Sequence, residues 1–164
     1  MKSIYFLFCA AAVMMIASCG TNEPVAAVAA ASAFNLDSAK AGIEASNAVF
    51  MESFAKGDSA GVASCYTKDA KAMPAGMPAI QGRDGMAGFV GATVRMGFKN
   101  FKLATTEVWG STDLVAEEGT FALNDDKGNA IDKGKYIVLW KQEEGKWKMF
   151  RDIWTSDMPP PPSK

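Results

Sequence analysis

Two acidic residues in apolar surroundings are the strongest candidates for chemistry in this sequence. Glu117 shares its strand parity with Val115 and Phe121, and Asp152 lies near two aromatic residues, two positions away on either side. Burial disfavours an ionised carboxylate, so such a group acquires a raised pKa and can act as a general acid or base. Two carboxyl groups facing one cavity would push their pKa values apart and supply one acid and one base.

Structural roles remain open for both acids. Glu117 could instead pair with Arg83 or Arg151, or lie at the solvent rim of a sheet. Asp152 could be held by a hydrogen bond from Trp140, from Tyr136 or from a backbone amide. Each of these alternatives would make the carboxylate a structural group.

A tyrosine and a set of large side chains complete the candidate site. The Tyr66 hydroxyl could donate to a developing oxyanion, or it could lie at the rim of a pocket after a short helix. Methionine and aromatic residues could line that pocket, although the same residue types fill ordinary cores. The candidate ligand-binding residues are Met73, Met77, Phe89, Trp109, Tyr136, Trp140 and Trp154.

The composition excludes several functional classes. The chain has no histidine, which removes Ser-His-Asp and Cys-His catalysis and zinc sites that need imidazole. Seventeen basic and 18 acidic residues give a net charge of −1 without a basic cluster, so nucleic acid is not expected as a partner. The run Asn124–Asp125–Asp126 is typical of a hairpin turn, and we expect neither a metal nor a cofactor.

The N-terminus has the pattern of an export signal. Residues 1–18 form one apolar run whose only charge is Lys2, too short to span a membrane. Residues 16–19 resemble the lipobox of bacterial lipoproteins, in which the signal is cleaved before the cysteine and that cysteine is acylated. The resemblance implies a lipid anchor on Cys19, and the Gly at the next position favours the outer membrane of the cell envelope. The alternative is an ordinary signal with an incidental cysteine.

The rest of the chain divides into a tether, one domain and a tail. Residues 19–33 are small and aperiodic, residues 34–157 are periodic, and residues 158–164 are rich in proline. After cleavage and acylation Cys65 would be the only free thiol, so we expect no intrachain disulfide.

The sequence pattern predicts two helices, two short extended segments at residues 71–74 and 77–80, a third helix and then a run of strands. The first helix ends at Gly57, a short second helix that Asp58 and Ser59 can cap then continues through Cys65, and a third helix begins at Gly82. The apolar stripe of the first helix comprises Leu36, Ile43, Asn47, Phe50 and Phe54. The period changes to two from Phe98 onwards, and the predicted strands are separated by turns at residues 110–111 and 124–134. This order indicates an α+β domain with helices on one face of a curved antiparallel sheet.

The last predicted hairpin, residues 134–156, contains three of the four tryptophans. Its first strand is apolar on both faces, which indicates that it is covered on both sides. In its second strand, strict alternation places Met149 and Asp152 on opposite faces, but a β-bulge could change the parity partway.

These elements together resemble a known family. The segment 34–157 is similar to SnoaL-like or ketosteroid-isomerase-like domains of the nuclear transport factor 2 superfamily. The similarity is carried by a set of short motifs, namely Gly57-Asp58, Cys65-Tyr66-Thr67, Asp69-Ala70, Met73-Pro74, Gly82-Arg83, Glu117-Glu118-Gly119, Gly134 to Trp140 and Asp152 to Ser156.

The resemblance implies a cone-shaped, cystatin-like fold, with a curved antiparallel sheet wrapped around a long N-terminal helix and a cavity at the wide end. It also implies a homodimer formed through the outer face of the sheet. We therefore expect an envelope lipoprotein that binds a small apolar ligand, with isomerase- or cyclase-type proton transfer by Glu117, Asp152 and Tyr66. The alternative is a non-catalytic interaction module, and whether the protein is an enzyme stays open because fold does not determine function.

Overall fold

The structure is a computed structural model that describes residues 33–159. The predictions about the signal peptide, Cys19 and nearly all of the tether concern residues outside this range. Within it, the folded elements run from Leu36 to Ser156. No helix of this part of the chain is both long and apolar enough to cross a membrane.

The first helix, α1 (Leu36–Lys56), follows the predicted apolar stripe. Asn35 caps its N-terminus, where the side chain accepts a hydrogen bond of 2.8 Å from the Ser38 amide. Gly57 ends it in the left-handed conformation, with φ of 72°. The buried face comprises Ala39, Ile43, Asn47, Phe50 and Phe54. This confirms the predicted stripe except for Leu36, which is exposed.

Two further helices follow, of which α2 packs against α1. Asp58 caps α2 (Ser59–Ser64) by accepting a hydrogen bond from the Gly61 amide, as the sequence predicts for a short second helix. The third helix, α3 (Gly82–Arg95), packs against α2 and the first strand. Its apolar side faces the domain interior and buries Met86 and Val90.

A single six-stranded sheet makes up the rest of the described chain, in the order β2-β1-β6-β5-β4-β3. Four of its five pairings are antiparallel, and β1 and β6 are parallel. Because α1 contacts both β6 and the distant edge strand β3, the sheet must bend around this helix. The strands are β1 (Tyr66–Pro74), β2 (Ile80–Gln81), β3 (Phe98–Ser111), β4 (Leu114–Asp125), β5 (Ala130–Glu143) and β6 (Lys146–Ser156).

A β-bulge in the last strand decides which side chains face the helices. Leu139 pairs with Arg151, whereas Trp140 pairs with Met149, so Phe150 is an extra residue on β6. The bulge changes the side-chain parity, and Met149 and Asp152 are both buried on the inner side. The sequence left open whether this strand alternates strictly or contains a β-bulge, and the structure contains the bulge.

The two faces of β5 differ in burial. Tyr136, Val138 and Trp140 are buried against the helices. Ile137 on the outer face is 42% exposed, and its cross-strand neighbour Ile153 is 50% exposed. The strand is apolar on both faces, as predicted, but no described residue covers the outer one.

Candidate functional site

A cavity of about 340 Å³ lies between α1, α3 and the inner face of the sheet. Its lining is mostly aromatic and aliphatic, with contributions from Phe50, Phe89, Phe101 and Phe121. This volume is within the range of small-molecule sites. The polar residues on its surface are Asn47, Tyr66, Thr93, Asp132, Tyr136 and Asp152.

Asp152 is the most unusual of these polar residues. It is 7% exposed, and its Oδ2 accepts a hydrogen bond of 2.8 Å from the Tyr66 hydroxyl. No described residue donates to its other oxygen, Oδ1. Strands β1 and β6 run parallel here, and Tyr66 pairs with Met149 in that ladder. This strand pairing brings Tyr66 and Asp152 together, although they are 86 positions apart in sequence.

Burial changes the acidity of both partners. The pKa of the Asp152 carboxyl is raised to about 7. Loss of hydration is the largest cause, the hydrogen bond from Tyr66 opposes it, and the negative charge of Glu117 adds a smaller rise. Burial and the neighbouring Asp152 also raise the pKa of Tyr66 well above its usual value. Asp152 can therefore change its protonation state near neutral pH, whereas Tyr66 keeps its proton and remains a donor.

Glu117 is completely buried and is surrounded by hydrogen-bond donors. Its Oε1 accepts from Asn47 Nδ2 at 2.8 Å, from the Thr105 hydroxyl at 2.6 Å and from the Tyr136 hydroxyl at 2.8 Å. Its Oε2 accepts from Trp140 Nε1 at 2.9 Å. Four donors nearly fill the acceptor capacity of one carboxylate. None of these partners is the arginine that the sequence suggested as an alternative.

The two candidate acids thus occupy different positions. Asp152 lines the cavity, whereas Glu117 lies behind the cavity surface, and two of its donors, Asn47 and Tyr136, separate it from the interior space. With four donors around it and no place in the cavity lining, Glu117 is poorly placed to take a proton from a ligand. It acts on Asp152 through its charge.

The arginines make contacts away from both acids. Arg83 donates to the Tyr66 carbonyl at 2.7 Å and forms an ion pair with Glu143. Arg151 donates to the carbonyls of Asp69 and Phe150. In the described residues, no group of three or more potential metal ligands occurs.

The predicted ligand-binding residues divide into two groups. Met77, Phe89, Tyr136 and Trp154 line the cavity together with Tyr66 and Asp152. Trp140 is fully buried beneath the surface as a donor to Glu117.

The other two predicted residues lie elsewhere. Met73 lines a separate groove on the outer side of the sheet, because side chains alternate along β1 and its neighbour Ala72 is the one that faces the interior. Trp109 is 42% exposed and lines neither space. The prediction used side-chain chemistry alone and had no means of assigning these two residues to a face.

Three polar residues of the cavity, Asn47, Thr93 and Asp132, were not among the predicted site residues. Asn47 was detectable, because it is the one amide on the apolar stripe of α1. Asp132 had no comparable signal, since it lies in a segment that the sequence indicated as a loop and that the structure shows as the start of β5.

Comparisons with known proteins agree with this geometry. The sequence profile of the SnoaL-like domain family matches residues 48–150. No curated protein matches the sequence at a significant level.

Solved structures of the same fold include three from different bacteria. A ketosteroid isomerase-like protein from Erwinia carotovora atroseptica is 22% identical, with a TM-score of 0.60 over 73% of this chain and 96% of that chain. A hexachlorocyclohexane dehydrochlorinase from Novosphingobium barchaimii is 18% identical, with a TM-score of 0.60 over 74% and 88%. A protein of unknown function from Mycobacterium tuberculosis is 20% identical, with a TM-score of 0.63 over 72% and 71%.

Other similar structures are described as having a cystatin-like fold, which confirms the predicted fold class. At these identities the structural likeness establishes the fold alone. Since the family profile covers more than half of the sequence, the family itself is established as well. The chain belongs to the SnoaL-like domain family.

Proposed function

We propose that this domain binds a small, largely apolar molecule in its cavity and that Asp152 exchanges a proton with it, as in an isomerase- or cyclase-type reaction. The observation that carries this proposal is the buried carboxyl group of Asp152 on the surface of an apolar cavity. One oxygen of that group is held by Tyr66 and the other has no partner among the described residues. Proton transfer requires such a group within hydrogen-bond reach of the ligand.

The acidity of Asp152 supports the same role. With a pKa of about 7, both the acid and the base are populated at neutral pH, so the group can take up a proton and return it. Tyr66 orients the carboxyl group, burial keeps its pKa high, and the charge of Glu117 adds to that rise.

The relatives provide weaker support. Two proteins of this fold are named as a ketosteroid isomerase-like protein and as a dehydrochlorinase. Loss of HCl from a chlorinated hydrocarbon requires removal of a proton from carbon, which is the kind of step proposed for Asp152.

The test is proton exchange at carbon in a simple apolar ketone. The purified domain is incubated with 2-tetralone in D₂O, and deuterium incorporation beside the carbonyl is followed by NMR. We expect Asp152→Asn to lower the exchange rate by about 10²-fold or more. Asp132→Asn is the matched control, because Asp132 also lines the cavity but accepts hydrogen bonds from Ser156 and the Lys133 amide. Equal rates in wild type and Asp152→Asn would refute the catalytic part of the proposal.

We further propose that the domain is anchored to the bacterial envelope through an acylated Cys19. Support comes from the apolar run of residues 1–18 and the lipobox-like residues that end in this cysteine. Several acyl chains together would hold a small domain stably on a bilayer.

A second candidate function is dimerisation through the outer face of the sheet. Ile137 and Ile153 face each other across β5 and β6 and are both about half exposed, beside a groove that includes Met73 and Trp154. Sedimentation equilibrium should give a dimer for the wild type and a monomer for Ile137→Lys. A monomeric wild type would exclude this candidate.

A further inference from the structure

We infer that the cavity is selective for a molecule whose apolar body carries one positively charged amino group, and that Asp152 pairs with this group. The inference rests on the proposed binding function and adds the charge of the ligand. It follows from the charged side chains in and directly behind the cavity wall.

The cavity wall contains negative charge and no positive charge. Asp132 and Asp152 belong to its lining, which includes no lysine and no arginine. Behind the surface, Glu117 is fully buried, and its four hydrogen-bond donors are all uncharged. Neither Glu117 nor Asp152 takes part in any ion pair of the described residues. Since a buried carboxylate without a counter-charge is costly, a cation that enters this cavity is stabilised by both acids.

Two basic side chains next to cavity residues are directed elsewhere. Arg83 donates to the Tyr66 carbonyl at 2.7 Å and pairs with Glu143. Lys148 is buried, but it donates to the Ser64 carbonyl at 3.1 Å. Neither of them lines the cavity, so a positive charge inside it must come from the ligand.

One oxygen of Asp152 is open to the cavity. Its Oδ2 accepts from Tyr66, and its Oδ1 has no partner among the described residues. Residues 33–159 contain one unpaired side-chain N or O atom that is fully enclosed, and that atom belongs to Asn47. Asp152 Oδ1 is therefore unpaired without being enclosed, and the residue that carries it lines the cavity. An ammonium group in the cavity can donate a charge-assisted hydrogen bond to this oxygen.

Aromatic rings complete the environment of such a cation. Nine of the cavity residues are aromatic. Trp154 lies two residues beyond Asp152 on β6, with Tyr136 as its cross-strand partner and the Phe89 ring at a centroid distance of 6.2 Å. The face of an aromatic ring attracts a cation, and most strongly where water is excluded. Rings beside a carboxylate suit an ammonium group, while the remaining apolar lining suits a hydrocarbon body.

Asp132, the second acid of the lining, is a less suitable partner. Its Oδ1 already accepts from the Ser156 hydroxyl at 2.6 Å and from the Lys133 amide at 2.8 Å. Asp152 pairs with Val138, six residues beyond Asp132 on β5, so the two acids lie roughly 20 Å apart along the strand. Asp132 is also partly exposed, and water screens its charge.

The experiment compares two probes of similar shape, 2-naphthylmethylamine, which is protonated at neutral pH, and the uncharged 2-naphthylmethanol. Both can donate a hydrogen bond, so the comparison isolates the charge. Their dissociation constants are measured by isothermal titration calorimetry at pH 6 and pH 8 with wild type, Asp152→Asn and Asp132→Asn. Asp132→Asn is the matched control, because it removes a carboxylate from the same lining. Thermal unfolding verifies that each variant is folded.

We expect the wild type to bind the amine about tenfold more tightly than the alcohol at pH 8. Asp152→Asn should abolish this preference, and Asp132→Asn should change it by no more than about twofold.

A pH dependence should accompany the preference. The amine should bind the wild type about tenfold more tightly at pH 8 than at pH 6, because the Asp152 carboxyl has a pKa of about 7 and is mostly protonated at pH 6. The other titratable groups around it are Tyr66, Tyr136 and Glu117. Burial raises the pKa of both tyrosines, so they keep their protons throughout this range.

Equal affinities of the two probes for the wild type would overturn the inference and leave ligand binding in place. A preference for the amine that persists in Asp152→Asn, or that is lost in Asp132→Asn alone, would overturn it too. The wild-type comparisons between probes and between pH values need no variant, so they decide the matter even if Asp152→Asn does not fold. If neither probe binds the wild type, the inference fails together with the binding function on which it rests.

Discussion

The phenol ring of Tyr136 occupies the space that a side chain at position 119 would need. Gly119 and Tyr136 are cross-strand partners, and a Cβ built on Gly119 would lie 2.3 Å from Cζ and from the hydroxyl oxygen of Tyr136. Because this position is glycine, the ring can lie across β4 and donate to Glu117 at 2.8 Å. The Glu-x-Gly pattern on β4 thus has a physical reason, since the glycine makes room for the donor that the glutamate accepts.

A second pair has the glycine on β5 and the aromatic ring on β4. Gly134 on β5 pairs with Phe121 on β4, and a Cβ at Gly134 would lie 2.8 Å from Cε1 of that ring. Two aromatic rings therefore lie flat on glycines of the partner strand and form part of the cavity surface.

We predict that Gly119→Ala destabilises the domain by roughly 2–4 kcal/mol, since Tyr136 must move and its hydrogen bond to Glu117 is lost. The control is Gly88→Ala on the exposed side of α3, where a Cβ meets no atom within 4 Å. That change should stabilise the domain by about 0.5–1 kcal/mol. Urea unfolding measures both, and a harmless Gly119→Ala would contradict the proposed reason for this glycine.

Asp152 makes stability depend on pH. Its pKa is raised from 3.8 to about 7 in the folded state, so between these values the folded domain holds a proton that the unfolded chain has released. The stabilisation from this group is complete below pH 3.8 and is lost as pH rises through about 7. Ionised Asp152 should therefore cost roughly 2–4 kcal/mol at pH 8.

The measurement is the free energy of unfolding of wild type and Asp152→Asn from pH 4 to pH 8. We expect Asp152→Asn to gain stability relative to wild type as pH rises across this window. A difference that stays constant with pH would show that Asp152 is not strongly perturbed.

Tyr66→Phe and Glu117→Gln should move the titration of Asp152 in opposite directions. The Tyr66 hydrogen bond lowers the Asp152 pKa and the Glu117 charge raises it, so the first variant raises this pKa and the second lowers it. The ¹³C chemical shift of the Asp152 carboxyl, followed against pH, reports each value. Shifts in the same direction would mean that one of the two assigned causes is wrong.

Cys19→Ser should abolish lipid modification. A serine cannot form the thioether through which a lipoprotein cysteine is modified, so the precursor should stay unprocessed or become soluble. The control is Cys65→Ser, which changes a buried cysteine of the folded domain and should leave acylation intact. Metabolic labelling with a tagged fatty acid distinguishes the two. Label on the Cys19→Ser protein would exclude this residue as the anchor.

Much of the fold was predictable because secondary structure depends on near neighbours. The stripe of α1, its stop at Gly57 and the cap at Asp58 are patterns within a few residues, and the structure confirms each of them. Strand boundaries were less accurate, because β3 and β5 continue into segments whose sequence resembles a turn.

The candidate site was only partly predictable. Both acids and Tyr66 could be selected by residue type, since a buried carboxylate or phenol is rare enough to attract attention. Asp152 faces the cavity because of one bulge at Phe150, and no local signal determined its presence. The hydrogen-bond partners of Glu117 and Asp152 could not be predicted, because they come from α1, β1, β3 and β5, which are distant in sequence.

The sequence by itself determined the family, through a set of short motifs that resemble it. Short-range periodicity determined most of the order of helices and strands, and residue type identified the acidic candidates. Only the tertiary structure decided that Asp152 lines the cavity while Glu117 lies behind it and that Asn47 has an unpaired carbonyl. The physical reason is that strand register and sheet curvature set which polar atoms meet. Both arise from the packing of the whole domain around α1.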